Sequence, residues 1–133
     1  MSGVSIVRYL LANHSALTDV VPALRIRGGD LPQGLAMPAI AVNKIGGQQE
    51  NNLAMDSPSY LVTQRIQVTV LAKNYDQVQS ILPLVLSACP LSRGTINGHT
   101  CEGVIPDTEG PDLYDRELDL HSQTQDFMVS FIR

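Results

Sequence analysis

The sequence predicts an α+β fold: a mainly antiparallel sheet packed against one central helix plus a short N-terminal helix, with long extended loops. Three observations carry that prediction. Residues 60–71 alternate apolar and polar positions, as a half-buried strand does. The run Gln123 to Ile132 alternates again, with Phe127, Val129 and Phe131 on one face and Asp126, Met128 and Ser130 largely on the other. Between them, Val78, Ile81, Leu82, Val85, Leu86 and Cys89 recur at helical spacing behind Asn74, a good N-cap. The order helix, strands, one central helix, strands is that of an α+β domain with a mainly antiparallel sheet.

The remaining elements follow in order. Val4, Val7, Leu10 and Leu11 form one face of a short helix, with Ser2 as N-cap and Asn13 as a left-handed stop. Ser15 caps a second short turn with Leu17, Val20 and Val21 inward, ended by Pro22. Residues 27–34 are turn chemistry throughout and predict a loop. Ala39 to Lys44 reads as a short strand behind Pro38. Residues 46–58 hold few apolar anchors beyond Leu53 and Met55, which predicts an extended hairpin arm between two strands, one that folds against a partner. The strand of residues 60–71 follows, with Tyr60, Val62, Ile66, Val68 and Val70 on its apolar face and Gln64 breaking that face once. Pro83 should bend the central helix and Pro90 stop it. Asn97-Gly98 is a strong hairpin pair between Thr95-Ile96 and Cys101 to Ile105. Asp107 to Asp119 reads as acidic and turn-rich. The C-terminal strand is expected beside residues 60–71.

Composition bounds the function. At 133 residues, with 44% apolar and 17% charged side chains, the chain is expected to form one globular domain, 1–133. A net charge of −4 supplies no basic excess to neutralise phosphates, which argues against DNA binding through overall charge. Ser5 and Arg8 interrupt the apolar start, so no secretory signal is read there, and no stretch reaches the roughly 20 apolar residues of a membrane span. Cys89 and Cys101 are accordingly expected as free thiols in a reducing cytoplasm.

Several constellations bear on chemistry. Cys89, His99, Cys101 and His121 are metal-type residues in one region, but they lack the close, regular spacing of a zinc site. A buried thiol beside hairpin residues explains them more simply. Asp107, Glu109, Asp112, Asp115, Glu117 and Asp119, ending near His121, could serve acid–base or hard-cation chemistry; a small metal-dependent enzyme using 107–121 is the alternative reading of the whole chain. The calcium-loop pattern is absent, so solvated or partner-docked charge is the better account, with Arg116 pairing locally. Gly28-Gly29 and Gly46-Gly47 lack the phosphate-loop spacing and read as turns. No nucleophile elbow and no Cys/His pair for nucleophilic attack can be assembled. No catalytic, metal or cofactor residue is assigned.

The order of features has a further likeness. An opening helix runs into Leu10-Leu11-Ala12-Asn13-His14-Ser15-Ala16-Leu17-Thr18. Arg25-Ile26 precedes a Pro- and Gly-rich loop, and Met37-Pro38-Ala39-Ile40 enters a strand. Arg65-Ile66-Gln67-Val68-Thr69-Val70 is followed by a helix from Tyr75, and Leu113-Tyr114-Asp115 leads through Leu120-His121 to Gln125-Asp126-Phe127-Met128-Val129. In this the chain resembles the small tail-completion proteins of long-tailed bacteriophages, the group that includes tail-terminator and head–tail joining proteins.

The resemblance implies a structural virion protein of the tail or neck, made in the host bacterial cytoplasm. It implies a homo-oligomeric ring, usually of six subunits, on the head-proximal end of the tail tube. Such a ring stops tube polymerisation and offers a surface to neck or head-completion proteins; a head-side neck adaptor is an equal reading within the same class. It implies no catalysis, no cofactor and no membrane, and DNA passing through the channel without specific binding. Ring closure needs a head-to-tail contact between two different surfaces of each subunit. The expected interface residues are Arg27 and Asp30 in the first loop, Gln48, Gln49, Asn51 and Asn52 in the arm, and Asp112, Tyr114, Asp115 and Arg116 in the acidic segment.

Overall fold

The computed structural model describes residues 3–29, 31–32, 34–50, 61–89, 93–96 and 98–132, and the side chains of residues 48–50 and 99 are outside that description. Helix α1 spans Gly3–Ala12 and buries Ile6, Val7 and Leu11 completely. Its end differs from expectation. Asn13 is not left-handed; its N–H and its Nδ2 both donate to the Tyr9 carbonyl, at 3.1 and 2.8 Å, which satisfies the helix end within the right-handed region. Helix α2 is a single turn, Ser15–Thr18, in which His14 rather than Ser15 takes the cap position, without a side-chain bond. Leu17 and Val21 face inward as expected, whereas Val20 is exposed because the chain turns away after that one turn.

A 3-10 turn, Ala23–Arg25, leads into β1, Ile26–Gly28. This strand replaces part of the loop expected over 27–34. It runs parallel to the first residues of β2, Ala39–Glu50, with Ile26 opposite Ile40. β2 is twice the length expected. Residues 46–50, expected in the extended hairpin arm, pair antiparallel with β3, Leu61–Ala72, as the base of that hairpin. Their Gly and Gln composition is poor strand material, and the ladder to β3 supplies what propensity lacks. Residues 51–58, the rest of the expected arm, lie outside the described residues, as do Ser2, Pro90, Asn97 and Tyr60, the last expected on the strand's apolar face.

Helix α3, Tyr75–Ala88, starts where Asn74 Oδ1 accepts the Asp76 N–H at 2.8 Å. Val78, Ile81, Leu82, Val85 and Ala88 form its buried stripe, and the helix continues unbroken past Pro83, which sits on the exposed side. Leu86, expected inward, is exposed, because it stands one residue, about 100°, round from Val85. After α3 come β4 (Gly94–Ile96), β5 (His99–Glu109), β6 (Leu113–Asp115) and β7 (Leu120–Ile132). β4 and β5 form the expected tight hairpin, with Gly98 at φ +79°. The segment 107–119, expected to be turn-rich, is divided: β5 carries on through Glu109 and β6 resumes the pairing with β7, while residues 116–119 form the turn.

The sheet order is β1-β2-β3-β7-β5-β4, with β6 also against β7. Among the described residues only β1 and β2 are parallel. The centre is regular: β3 and β7 pair without interruption from Leu61↔Ile132 to Ala72↔His121. The outer strands are not. Ile45 is an extra residue in β2, Glu102 an extra residue in β5, and Asp107 with Thr108 together oppose Asp126. Helices α1 and α3 both cover the face that carries Val62, Ile66, Val68 and Val70 of β3 and Phe127, Val129 and Phe131 of β7. Each large apolar side chain buried there is worth about 1.5–3 kcal/mol. The break in the apolar face also has a cause: Gln64, 4% exposed, accepts the first N–H of α1, from Gly3, at 2.8 Å.

Candidate functional site

Among the described residues no helix covers the second face of the sheet. It presents the other set of alternating residues, half-buried Thr63, Arg65, Gln67 and Thr69 of β3 beside Thr124, Met128 and Ser130 of β7. The hydroxyls of Thr63 and Ser130 lie 3.1 Å apart across the strands. Arg65 is the hub of this face. Its guanidinium meets Asp107 of β5 at 2.6 Å and Asp126 of β7 at 3.4 Å, so one cation ties three strands together. Because the guanidinium is 41% exposed, the tie is worth little as an isolated ion pair. Asp126 is buried, and its Oδ1 has no hydrogen-bond partner among the described residues. Beside Arg65 lies a shallow depression of about 330 Å³, lined by Ile45, Gly46, Gly47, Thr63 and Met128.

The acidic segment forms a second feature, and most of its carboxylates already have neutral partners. Asp112 accepts the Tyr75 hydroxyl at 2.8 Å and the Gln79 amide at 3.3 Å, which moors the hairpin to α3. Gln79 also donates to Gln123 Oε1, and Gln123 in turn donates to the Gly110 carbonyl. Asp115 Oδ1 accepts the N–H groups of Glu117 and Leu118, which builds the turn between β6 and β7. Asp119, at φ +52°, accepts the Tyr114 hydroxyl at 2.8 Å. His121 packs between Tyr75 and Tyr114, with ring centroids 5.9 and 4.6 Å away. Hydrogen bonds to these carboxylates hold both tyrosine hydroxyls protonated above their ordinary range.

This geometry builds surfaces rather than a reaction centre. Among the described residues no three His, Cys, Asp or Glu side chains gather to hold a metal. Burial pushes the Cys89 thiol up to about 12 and raises Cys101 as well, so both stay neutral and are poor nucleophiles or metal ligands near pH 7. A further groove of about 260 Å³, lined by Leu31, Pro32, Leu35, Met37, Leu118 and Leu120, opens where the first loop meets the β6–β7 turn.

The expected interface residues are scattered. Arg27 is exposed on β1, its Nε donating to the Leu24 carbonyl at 3.2 Å. Asp30, Asn51 and Asn52 lie outside the described residues; Gln48 and Gln49 have backbone paired with Thr63 and Val62, and nothing is described of their side chains. Asp112, Tyr114, Asp115 and Arg116 are exposed together at the β6–β7 end. Arg116, expected to pair within the acidic run, has no carboxylate partner among the described residues; the turn bonds take up Asp115 instead. Reasoning from sequence missed Arg65 and Asp126 as partners. Their signal is there: two opposite charges on the polar faces of the two alternating strands.

Comparison with known proteins adds the last observations. Residues 6–131 match the family model described as Tail completion protein gp17. Among solved structures, one chain described as "Virion of native gene transfer agent (GTA) particle" matches with a TM-score of 0.77 over 97% of this chain and 93% of that chain. Its sequence is 11% identical, so the likeness is one of fold. No curated protein matches the sequence.

Proposed function

The chain belongs to the Tail completion protein gp17 family, and on that premise we propose that it is the ring-forming subunit that closes the head-proximal end of a phage-type tail. As a member of that family it is a structural protein of the virion tail. The finer reading is that several copies, six by the resemblance, form one ring that ends tube growth and joins the tail to the neck. The role is mechanical, not catalytic, and one domain, 1–133, carries it.

The observation that carries this reading is the family match itself, which spans the core from Ile6 to Phe131. Three features support it. The similar fold comes from a virion particle. The acidic segment, the basis of the enzyme alternative, is bonded to Tyr75, Gln79, Tyr114 and its own turn rather than poised for acid–base work. Few cations are available to hold the phosphates of DNA moving through a channel.

Deleting this chain from a particle-producing strain tests the proposal. The expected result is tails of uncontrolled length that lack heads, with normal particles restored by supplying the protein. Headed tails of normal length in its absence would overturn it.

A further inference from the structure

We infer that neighbouring copies of this chain join edge to edge through side chains, the Lys44–Ile45 bulge of β2 meeting Ile105 and Glu109 on the outer side of β5. This rests on the ring reading and specifies its contact.

The two edges lie at opposite ends of the strand order. β1 covers β2 only as far as Val42, and β4 covers β5 only as far as Cys101, so the outer sides of both strands continue beyond their covers. Neither edge can extend a regular ladder. Ile45 is a bulge residue in β2, while β5 carries Pro106, which lacks an N–H, and two bulges of its own. Such features block indiscriminate strand pairing and leave recognition to side chains.

Those side chains are complementary. Among the described residues each of these edge strands carries an exposed isoleucine on the second face of the sheet, Ile45 at 48% near Arg65 and Ile105 at 53% across from Met128. Beside Ile45 stands Lys44, and further back along the same edge β1 and the turn before it add Arg27 and Arg25; none of these three cations has a carboxylate partner among the described residues. Arg25 and Arg27 donate to backbone carbonyls, which leaves their charge uncompensated. On the far edge, seven of the thirteen Asp and Glu fall between residues 102 and 119, with Arg116 the single Lys or Arg among them. Glu109 has no partner among the described residues, and Glu102 reaches Arg93 only at 3.7 Å. Among the described side chains the sheet is thus basic at one end and acidic at the other, with an apolar contact available at both, the anatomy of an interface core inside a charged rim. Two different surfaces on one subunit make a heterologous contact, which closes into a ring if the rotation permits.

The test is a short bis-maleimide cross-link on assembled tails carrying Ile45→Cys and Ile105→Cys together. The native thiols, Cys89 and Cys101, are buried and serve as the unreacted background. The pair sits on opposite edges, so a covalent link must be intermolecular. The expected result is a ladder of covalent oligomers that stops at the subunit number of the ring, with neither single variant giving more than a monomer. Lys44→Glu should cut the cross-linked yield about tenfold, as a loss near 1.4 kcal/mol would, and Glu109→Lys added to it should restore the yield. A ring visible at the tail end with no covalent ladder overturns this contact and leaves the ring reading standing. Absence of the ring overturns both.

Discussion

At Gln64 a polar side chain occupies a position that alternation assigns to the core. Its oxygen takes up the Gly3 N–H, one of the orphan donors that open every helix, so one contact ties the start of α1 to β3. Cys89 illustrates the opposite case, a reactive group silenced by burial. With its thiol pushed up to about 12, the folded protein keeps this proton where the unfolded chain has lost it. Stability should therefore fall as pH rises from about 9 towards 12, by about 1.4 kcal/mol per pH unit from this group, and Cys89→Ala should flatten that slope. Denaturant melts at a series of pH values measure it. A slope unchanged in the variant would mean that other groups set the alkaline limit.

Among the elements, α3 depends on its cap. Asn74→Ala removes the acceptor for the Asp76 N–H and should cost about 1 kcal/mol, read as a shift in the urea midpoint without a change in slope. The elements most legible in sequence are those with a strong period: β3, β7, and the stripe of α3 from Val78 to Val85. Each is decided by which residues must face the helices and which must not. The elements missed are those held by neighbours. β1 has three residues and exists because β2 lies beside it; Gly46 to Glu50 and Asp107 to Glu109 are strand because β3 and β7 offer ladders, against their own preference. Leu86 shows the limit of reading a helix face, since one position round the helix moves a leucine from core to solvent.

In the whole molecule, α1, α3 and the central strands share one core. An isolated subunit should therefore unfold in one cooperative step, with far-ultraviolet circular dichroism and tyrosine fluorescence giving the same midpoint. Separate transitions would show that the N-terminal helix and the β5–β7 hairpin hold together independently. The candidate interface was legible only in outline. Charge segregation along the chain is visible in the sequence, but which strands form the two rims depends on a topology in which β7, last in sequence, sits in the middle.

The placement of the bulges has a consequence for descent. In β3, losing one residue would invert every side chain beyond the lesion, and the fold has no way to absorb that. At Ile45, Glu102 or Asp107 the same lesion would merely straighten a kink. Insertions and deletions can therefore accumulate along the rims while the median strands keep their length, so a lineage can re-tailor its contacts without rebuilding its scaffold.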